Sequence, residues 1–180
     1  GTGGLDAVAL SGNMATFRFD VDGASVHVSG NSASATYVNV ERFHFDDFAV
    51  ATDIGGNAGK AYRIYEAAFN RTPDHEGLGY WIDVMDKGVS LRSAAAGFTG
   101  SQEFIDLYGA HTSDAQFVDL LYQNTLHRAP DADGRQFWVD AMQVHDAGRE
   151  EVLAQFSESP ENQAQVIGAI QDGIAFVPWG

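Results

Sequence analysis

Cysteine is absent from the 180 residues, which excludes disulfides, thiolate zinc sites and thiol chemistry. No apolar run reaches the ~20 residues that a membrane-spanning helix needs, so membrane insertion is not expected. The six histidines form no HExxH and no pair at i, i+4, which leaves a transition-metal site without support. No GxSxG, no P-loop and no paired nucleophile and base stands out. Basic residues are scarce: ten Lys and Arg face 25 Asp and Glu, for a net charge of −15. Such a surface repels phosphate backbones and anionic lipids, so nucleic-acid binding is not expected. The first residues carry no basic and hydrophobic signal peptide. The chain is then cytosolic, stripped of its signal, or exported by another route, and its opening GTGGLDAV reads as cut from something longer.

What is present is a duplication. RTPDHEGLGYW, from Arg71 to Trp81, returns as RAPDADGRQFW, from Arg128 to Trp138. Arg71, Pro73, Asp74, Gly77 and Trp81 thus correspond to Arg128, Pro130, Asp131, Gly134 and Trp138, 57 residues apart (128 against 71). Upstream, Tyr65 and Phe69 match Tyr122 and Leu126; downstream, the run Phe98–Glu103 is echoed by Phe156–Glu161. A repeat of this length is one supersecondary unit used twice.

The first third is different material. Thr16–Val21 alternates polar and apolar residues, as does Ala24–Val28, with the turn dipeptide Asp22-Gly23 between them, and this predicts a β-hairpin. Further strands are predicted at Ala7–Leu10, Ala35–Val40 and Phe43–Phe45. From Ala58 the apolar residues Ala61, Ile64, Tyr65, Ala68 and Phe69 fall on one helical face. About eight short helices are predicted between Ala58 and Ala169, as two copies of a four-helix unit, and Gly173–Gly180 as an apolar extended tail. The expected fold is α+β: a β-rich segment over 1–56, the end of a β-roll, followed over 57–180 by a helical domain of two tandem helix-turn-helix repeats.

Within the motif, Pro73 and Pro130 are placed at the first helical position, where proline loses no hydrogen bond. Asp74 and Asp131 beside them complement the helix dipole. Arg71 and Arg128 either cap carbonyls of the preceding helix or pair with a carboxylate. Gly77 and Gly134 lie inside the next helix, at a cost of about 1 kcal/mol relative to alanine, which suggests that another helix or loop crosses there. Trp81 and Trp138 fill space between helices; sugar-stacking platforms are the functional alternative. Asp131-Ala132-Asp133-Gly134 fails as an EF-hand, whose glycine comes two positions further on. Ser113–Gln116 is a candidate capping box, and Ser159-Pro160-Glu161 a further helix start.

For calcium, a hard cation that takes oxygen ligands, the candidates are Asp6, Asp20, Asp22, Asp46 and Asp47. Gly1–Ala9 matches the β-roll nonapeptide G-G-x-G-x-D-x-U-x except at Thr2, although one repeat cannot close a site. Solvated acidic turns are the bland reading of the other four.

The helical part, Asn57 to Ala169, resembles the bacterial family catalogued as domain of unknown function 4214, through its Tyr-rich helix (Tyr62–Phe69), the Arg71–Trp81 motif and the Gly97–Phe104 segment, each followed by its second copy. The β part is similar to the stretch found after calcium-binding nonapeptide arrays in RTX-type proteins. Its T-N-V-E-R-L-x-F-x-D-G-like signature stands here as Tyr37–Asp47, with Asp47 in place of the glycine. These resemblances imply type I secretion with an uncleaved C-terminal signal, an extracellular or cell-surface location, and no catalytic residues to carry over. The expected function is a non-catalytic module for surface assembly (S-layer or adhesin-like) or secretion. Its expected partners are other copies of itself, in a homo-oligomer, or surface proteins and polysaccharide. The alternatives are a carbohydrate-binding module using calcium and exposed aromatics, and an accessory part of an acidic-residue hydrolase.

Overall fold

The computed structural model describes residues 4–30 and 33–180. Among them, seven strands and eight α-helices succeed one another in the predicted order, strands first: β1 Ala7–Ala9, β2 Phe17–Asp22, β3 Ser25–Gly30, β4 Ala33–Val38, β5 Arg42–His44, β6 Ala49–Ala51, then α1 Asn57–Phe69, α2 His75–Asp86, α3 Leu91–Thr99, α4 Gln102–Tyr108, α5 Asp114–Thr125, α6 Ala132–Gln143, α7 Arg149–Ser157, α8 Pro160–Ile170 and a last strand, β7 Ile174–Phe176. The fold class is α+β, as expected.

Strands β2, β3 and β4 form an antiparallel meander. Alternation in β2 turns Phe17, Phe19 and Val21 inward and leaves Arg18, Asp20 and Asp22 exposed. The hairpin turn falls one residue later than predicted, on Gly23-Ala24, with Asp22 opposite Ser25. Gly23 takes a φ of +59°, which fits the first position of a two-residue hairpin loop. The second sheet runs β1-β5-β6-β7. β1 pairs parallel to β5, while β5–β6 and β6–β7 are antiparallel. Between the two sheets, Val26, Val28, Phe43 and Val50 are buried, and Phe19 and Tyr37 set their rings edge-on to Phe43 at 5.3 and 5.2 Å.

The tail is therefore more than an extended end, because Ile174–Phe176 closes the sheet begun in the first 56 residues. It also packs on α2. A side chain at Gly79 would run into the Val177 carbonyl, and the Val177 N–H donates to the His75 carbonyl at 3.0 Å. Leu78, Ile82 and Met85 of α2 meet Ala49, Ala51, Ile174 and Phe176 in one buried cluster.

The helices obey the duplication: α1–α4 correspond to α5–α8, with one residue inserted between α6 and α7. Equivalent helices meet, α1 with α5 and α3 with α7. A second core joins them through Ile64, Phe98, Phe117, Leu121, Leu153 and Phe156. Local signals set the ends. Ser113 and Gln116 form the predicted capping box of α5, and Ser159 caps α8 with Pro160 in its first turn. The copies differ at the edge: α2 is covered by β7, whereas no residue of α6 is buried.

Two buried arginines lock the layers. Arg42 of β5, 5 % exposed, pairs with Asp53 and with Asp86 (2.8 Å) at the end of α2 and donates to the Glu41 carbonyl at 3.0 Å. Asp86 also accepts from Asn57 Nδ2 at 3.0 Å. Arg63 of α1, 4 % exposed, grips Glu158 of the second copy with two bonds of 2.7 and 2.8 Å and donates to the Ile54 carbonyl at 2.8 Å. Burial alone would lower the Arg42 guanidinium; the two carboxylates outweigh it and raise it. Removing one member of such a pair strands the others. Arg42→Met is accordingly expected to cost about 3 kcal/mol of unfolding free energy, read from urea denaturation at neutral pH.

Candidate functional site

Each copy of the duplicated motif is a helix-to-helix corner. α1 ends at Asn70 and α5 just before His127, both in the left-handed region at φ +51° and +52°. The next residue is the motif arginine. Arg71 binds Glu103 at the start of α4 through Nε and Nη2 (2.7 and 3.1 Å), and its guanidinium lies over the Tyr65 ring at 5.0 Å. Arg128 does the same with Glu161 (2.6 and 2.8 Å) and Tyr122 (4.9 Å). Of the two roles expected for these arginines, carboxylate pairing holds. The bond to Glu103 is the main cause that raises the Arg71 guanidinium.

The helix start is two residues later than the sequence pattern places it, at His75 and Ala132. Asp74 and Asp131 are the N-caps of α2 and α6, accepting from the Gly77 and Gly134 N–H groups at 2.7 and 2.8 Å. Pro73 and Pro130 precede those caps and are not the first helical residues. At Gly77 and Gly134 the nearest neighbours are side chains, one of them from the preceding helix, and not a crossing backbone. A side chain at Gly77 would crowd the capping carboxylate and the Tyr65 hydroxyl; one at Gly134 would strike the Tyr122 hydroxyl. Gly79 of the same helix as Gly77 is a glycine that another backbone segment does cross, at the Val177 carbonyl. Tyr65 donates its hydroxyl to Asp74; burial, and after it that bond, pushes the phenol up to about 12. Trp81 stacks on Phe98 at 4.5 Å, and Trp138 lies 5.0 Å from Phe156, so both fill space between helices. Of the tryptophans, only Trp179 is exposed (56 %), edge-on to the exposed Tyr80 at 5.1 Å. The EF-hand reading stays rejected, since Asp131 is a cap.

The calcium candidates do not converge. Asp46 and Asp47 accept from the backbone N–H groups of Gly12 (3.0 Å) and Met14 (2.9 Å) and so hold the loop before β2. Asp20 and Asp22 lie exposed on β2, and Asp6 is exposed beside β1. Among the described residues no three His, Asp or Glu side chains gather around one point. Gly1, Thr2 and Gly3 of the nonapeptide match lie outside the described residues.

Sequence reasoning missed a polar cavity of about 150 Å3 where the copies join. α1 supplies Glu66 and Ala67, the end of α5 supplies Asn124 and Thr125, the corner supplies His127, and α8 supplies Asn162, Gln165 and Val166. Glu66 Oε2 and Asn124 Nδ2 are buried without a hydrogen-bond partner, a condition that costs about 1–3 kcal/mol for each group. Burial raises the Glu66 carboxyl, while His127 nearby pulls it down. A shallower hollow of about 620 Å3, lined by Asp119, Gln123, Arg128 and Pro130 among others, shares His127 with it.

A twice-used helical corner, clamped by Arg and Glu and capped by Asp, defines the class as a helical repeat module. A family pattern matches residues 60–107 and again 95–166, together more than half of the chain, and the chain belongs to that family, described as Domain of unknown function (DUF4214). No curated protein matches it. No helix among the described residues is long and apolar enough to cross a membrane.

The capping geometry makes a pH prediction. The Tyr65 bond, then the Gly77 N–H, hold the Asp74 carboxyl below its ordinary range, so its contribution is present above the unfolded value of about 3.9 and is lost as pH falls through the folded one. Asp74→Ala should cost about 1 kcal/mol at pH 7, with the gap to the unsubstituted chain closing as urea unfolding is repeated toward pH 2. Asp131→Ala should act in the same direction.

Proposed function

We propose that this chain is a non-catalytic module of a secreted RTX-type protein, acting outside the bacterial cell or on its surface in assembly with other copies or with surface proteins and polysaccharide. The observation that carries the reading is the edge formed by β1. This strand is the last third of the nonapeptide-like stretch Gly1–Ala9, runs parallel to β5 and ends the sheet. An uncovered strand edge is a template for another strand, and stacked nonapeptide turns are parallel β-structure. Val8, the large apolar position of the nonapeptide, packs against the core between the sheets, while Ala7 and Ala9 are exposed. Calcium would then be shared between Asp6 and a neighbouring turn, as a β-roll site needs more than one repeat. The charge of −15 suits a calcium-rich exterior.

Light scattering on the eluting peak of a sizing column tests this. Self-association that calcium strengthens is expected, and Ala7→Lys with Ala9→Lys should weaken it by charging the edge. A strict monomer with and without calcium would defeat the assembly reading. A carbohydrate-binding reading retains support in the exposed Tyr80–Trp179 pair, since rings of this kind stack on sugars. If it holds, Trp179→Ala should abolish retention on surface polysaccharide and leave the unfolding midpoint unchanged.

A further inference from the structure

The two copies place different chemistry at the same positions. Where α1 has Ala67 and Ala68, α5 has Asn124 and Thr125, 57 residues on. Where α4 has Phe104, Leu107 and Tyr108, α8 has Asn162, Gln165 and Val166, 58 residues on. In the first copy Phe104 and Tyr108 are buried and stacked on each other at 4.1 Å. In the second, Asn162 is just as buried, at 2 % exposure, and the space around it is the 150 Å3 cavity. A repeat that can fill this position with an aromatic ring has instead been given amides around a hollow. Buried polar groups in a core need partners, and here some have none.

The free ends define what would satisfy them. Asn162 Nδ2 donates to the Ser157 carbonyl at 2.8 Å, and Gln165 Nε2 to the Leu126 carbonyl at 3.3 Å. Their amide oxygens are therefore the ends left for a guest. Thr125 has committed its hydroxyl hydrogen to the Ala67 carbonyl at 3.1 Å. Glu66 Oε2 has no partner, and among the described residues no ion pair involves Glu66. The cavity thus offers one carboxylate and two amide oxygens as acceptors, against one unused donor, Asn124 Nδ2. A guest must donate several hydrogen bonds, carry positive charge and present one acceptor. With a single carboxylate, the site is poor in the charge that a divalent ion draws on.

We propose that the cavity between the two repeats binds a small organic ammonium that also carries a hydroxyl or carbonyl oxygen. The ammonium donates to Glu66, Asn162 and Gln165, and the oxygen accepts from Asn124. The cavity equals about five water volumes at ~30 Å3 each, which suits a molecule or head group of about that many heavy atoms. His127, shared with the outer hollow, stands where guest and solvent meet. The site shares no residue with the proposed assembly edge at β1.

Ethanolamine is the probe that carries both groups. Ethylammonium lacks the oxygen, ethylene glycol lacks the charge, and calcium chloride lacks the N–H donors. Each would be titrated into the 15N-labelled chain while the side-chain amides of Asn124, Asn162 and Gln165 are monitored. Saturable shifts of these amides are expected with ethanolamine, about three- to tenfold weaker binding with ethylammonium, in line with one lost neutral hydrogen bond, and none with ethylene glycol. Glu66→Gln, which keeps the shape, should weaken ethanolamine binding at least tenfold. Asn162→Phe, which restores the residue of the first copy, should abolish it and raise the melting temperature; if that variant does not fold, Glu66→Gln still decides. Three results would overturn the proposal: no saturable shift with any probe, so that the cavity holds water only; shifts with calcium and not with ethanolamine; or unchanged binding in Glu66→Gln.

Discussion

The layers of this protein are joined by buried charge. Arg42 sits in the sheet, yet both of its carboxylate partners lie beyond it, Asp53 in the turn before α1 and Asp86 at the end of α2. A guanidinium in that place is tolerable only when its partners arrive in one geometry. It therefore fixes where the sheet meets the helices more sharply than the alanine-rich contact around it could. Ala49, Ala51, Ala58 and Ala61 would pack in several registers, but Arg42 accepts one. Arg63 plays the corresponding part between the two copies, reaching Glu158 across the helical core.

The corner motif shows how a duplicated unit can be kept and adapted at once. The Arg–Glu clamp, the tyrosine beneath it and the aspartate cap recur with nearly the same distances in both copies. Around that constant frame the surroundings diverge. The first copy lays α2 under β7 and packs aromatic rings behind α4. The second leaves α6 without a buried residue, exposes Phe137 (63 %), and has Asn162 and Val166 where the first has the two rings.

Much of this was legible in the chain. The strands β2 and β3 announce themselves by strict alternation, the helices by one-sided apolar spacing, and the duplication by the motif itself. Short strands were harder: Ala49–Ala51 is three small residues with no alternation to read, and Ile174–Phe176 is a strand only because β6 offers it an edge. The shift of Pro73 and Pro130 to a place before the cap has a simple origin, since an aspartate with a glycine N–H three residues later competes for the N-cap role and wins. The cavity escaped because Glu66, Asn124 and Asn162 are 38 or more positions apart (162 against 124) and match no motif. The signal was nevertheless present in the repeat: aligning Phe104 with Asn162 exposes a polar residue where its twin is core.

The pairing of β6 with β7 has a consequence for how the molecule comes into being. Ala51 lies opposite Ile174, 123 positions later (174 against 51), and the eight helices occupy the interval. Closing so long a span is slow compared with forming local turns and helices. The edge of β6 is thus left waiting while the chain between is made and compacted, and the last strand acts as a latch: the sheet is complete only when everything before it is already in place.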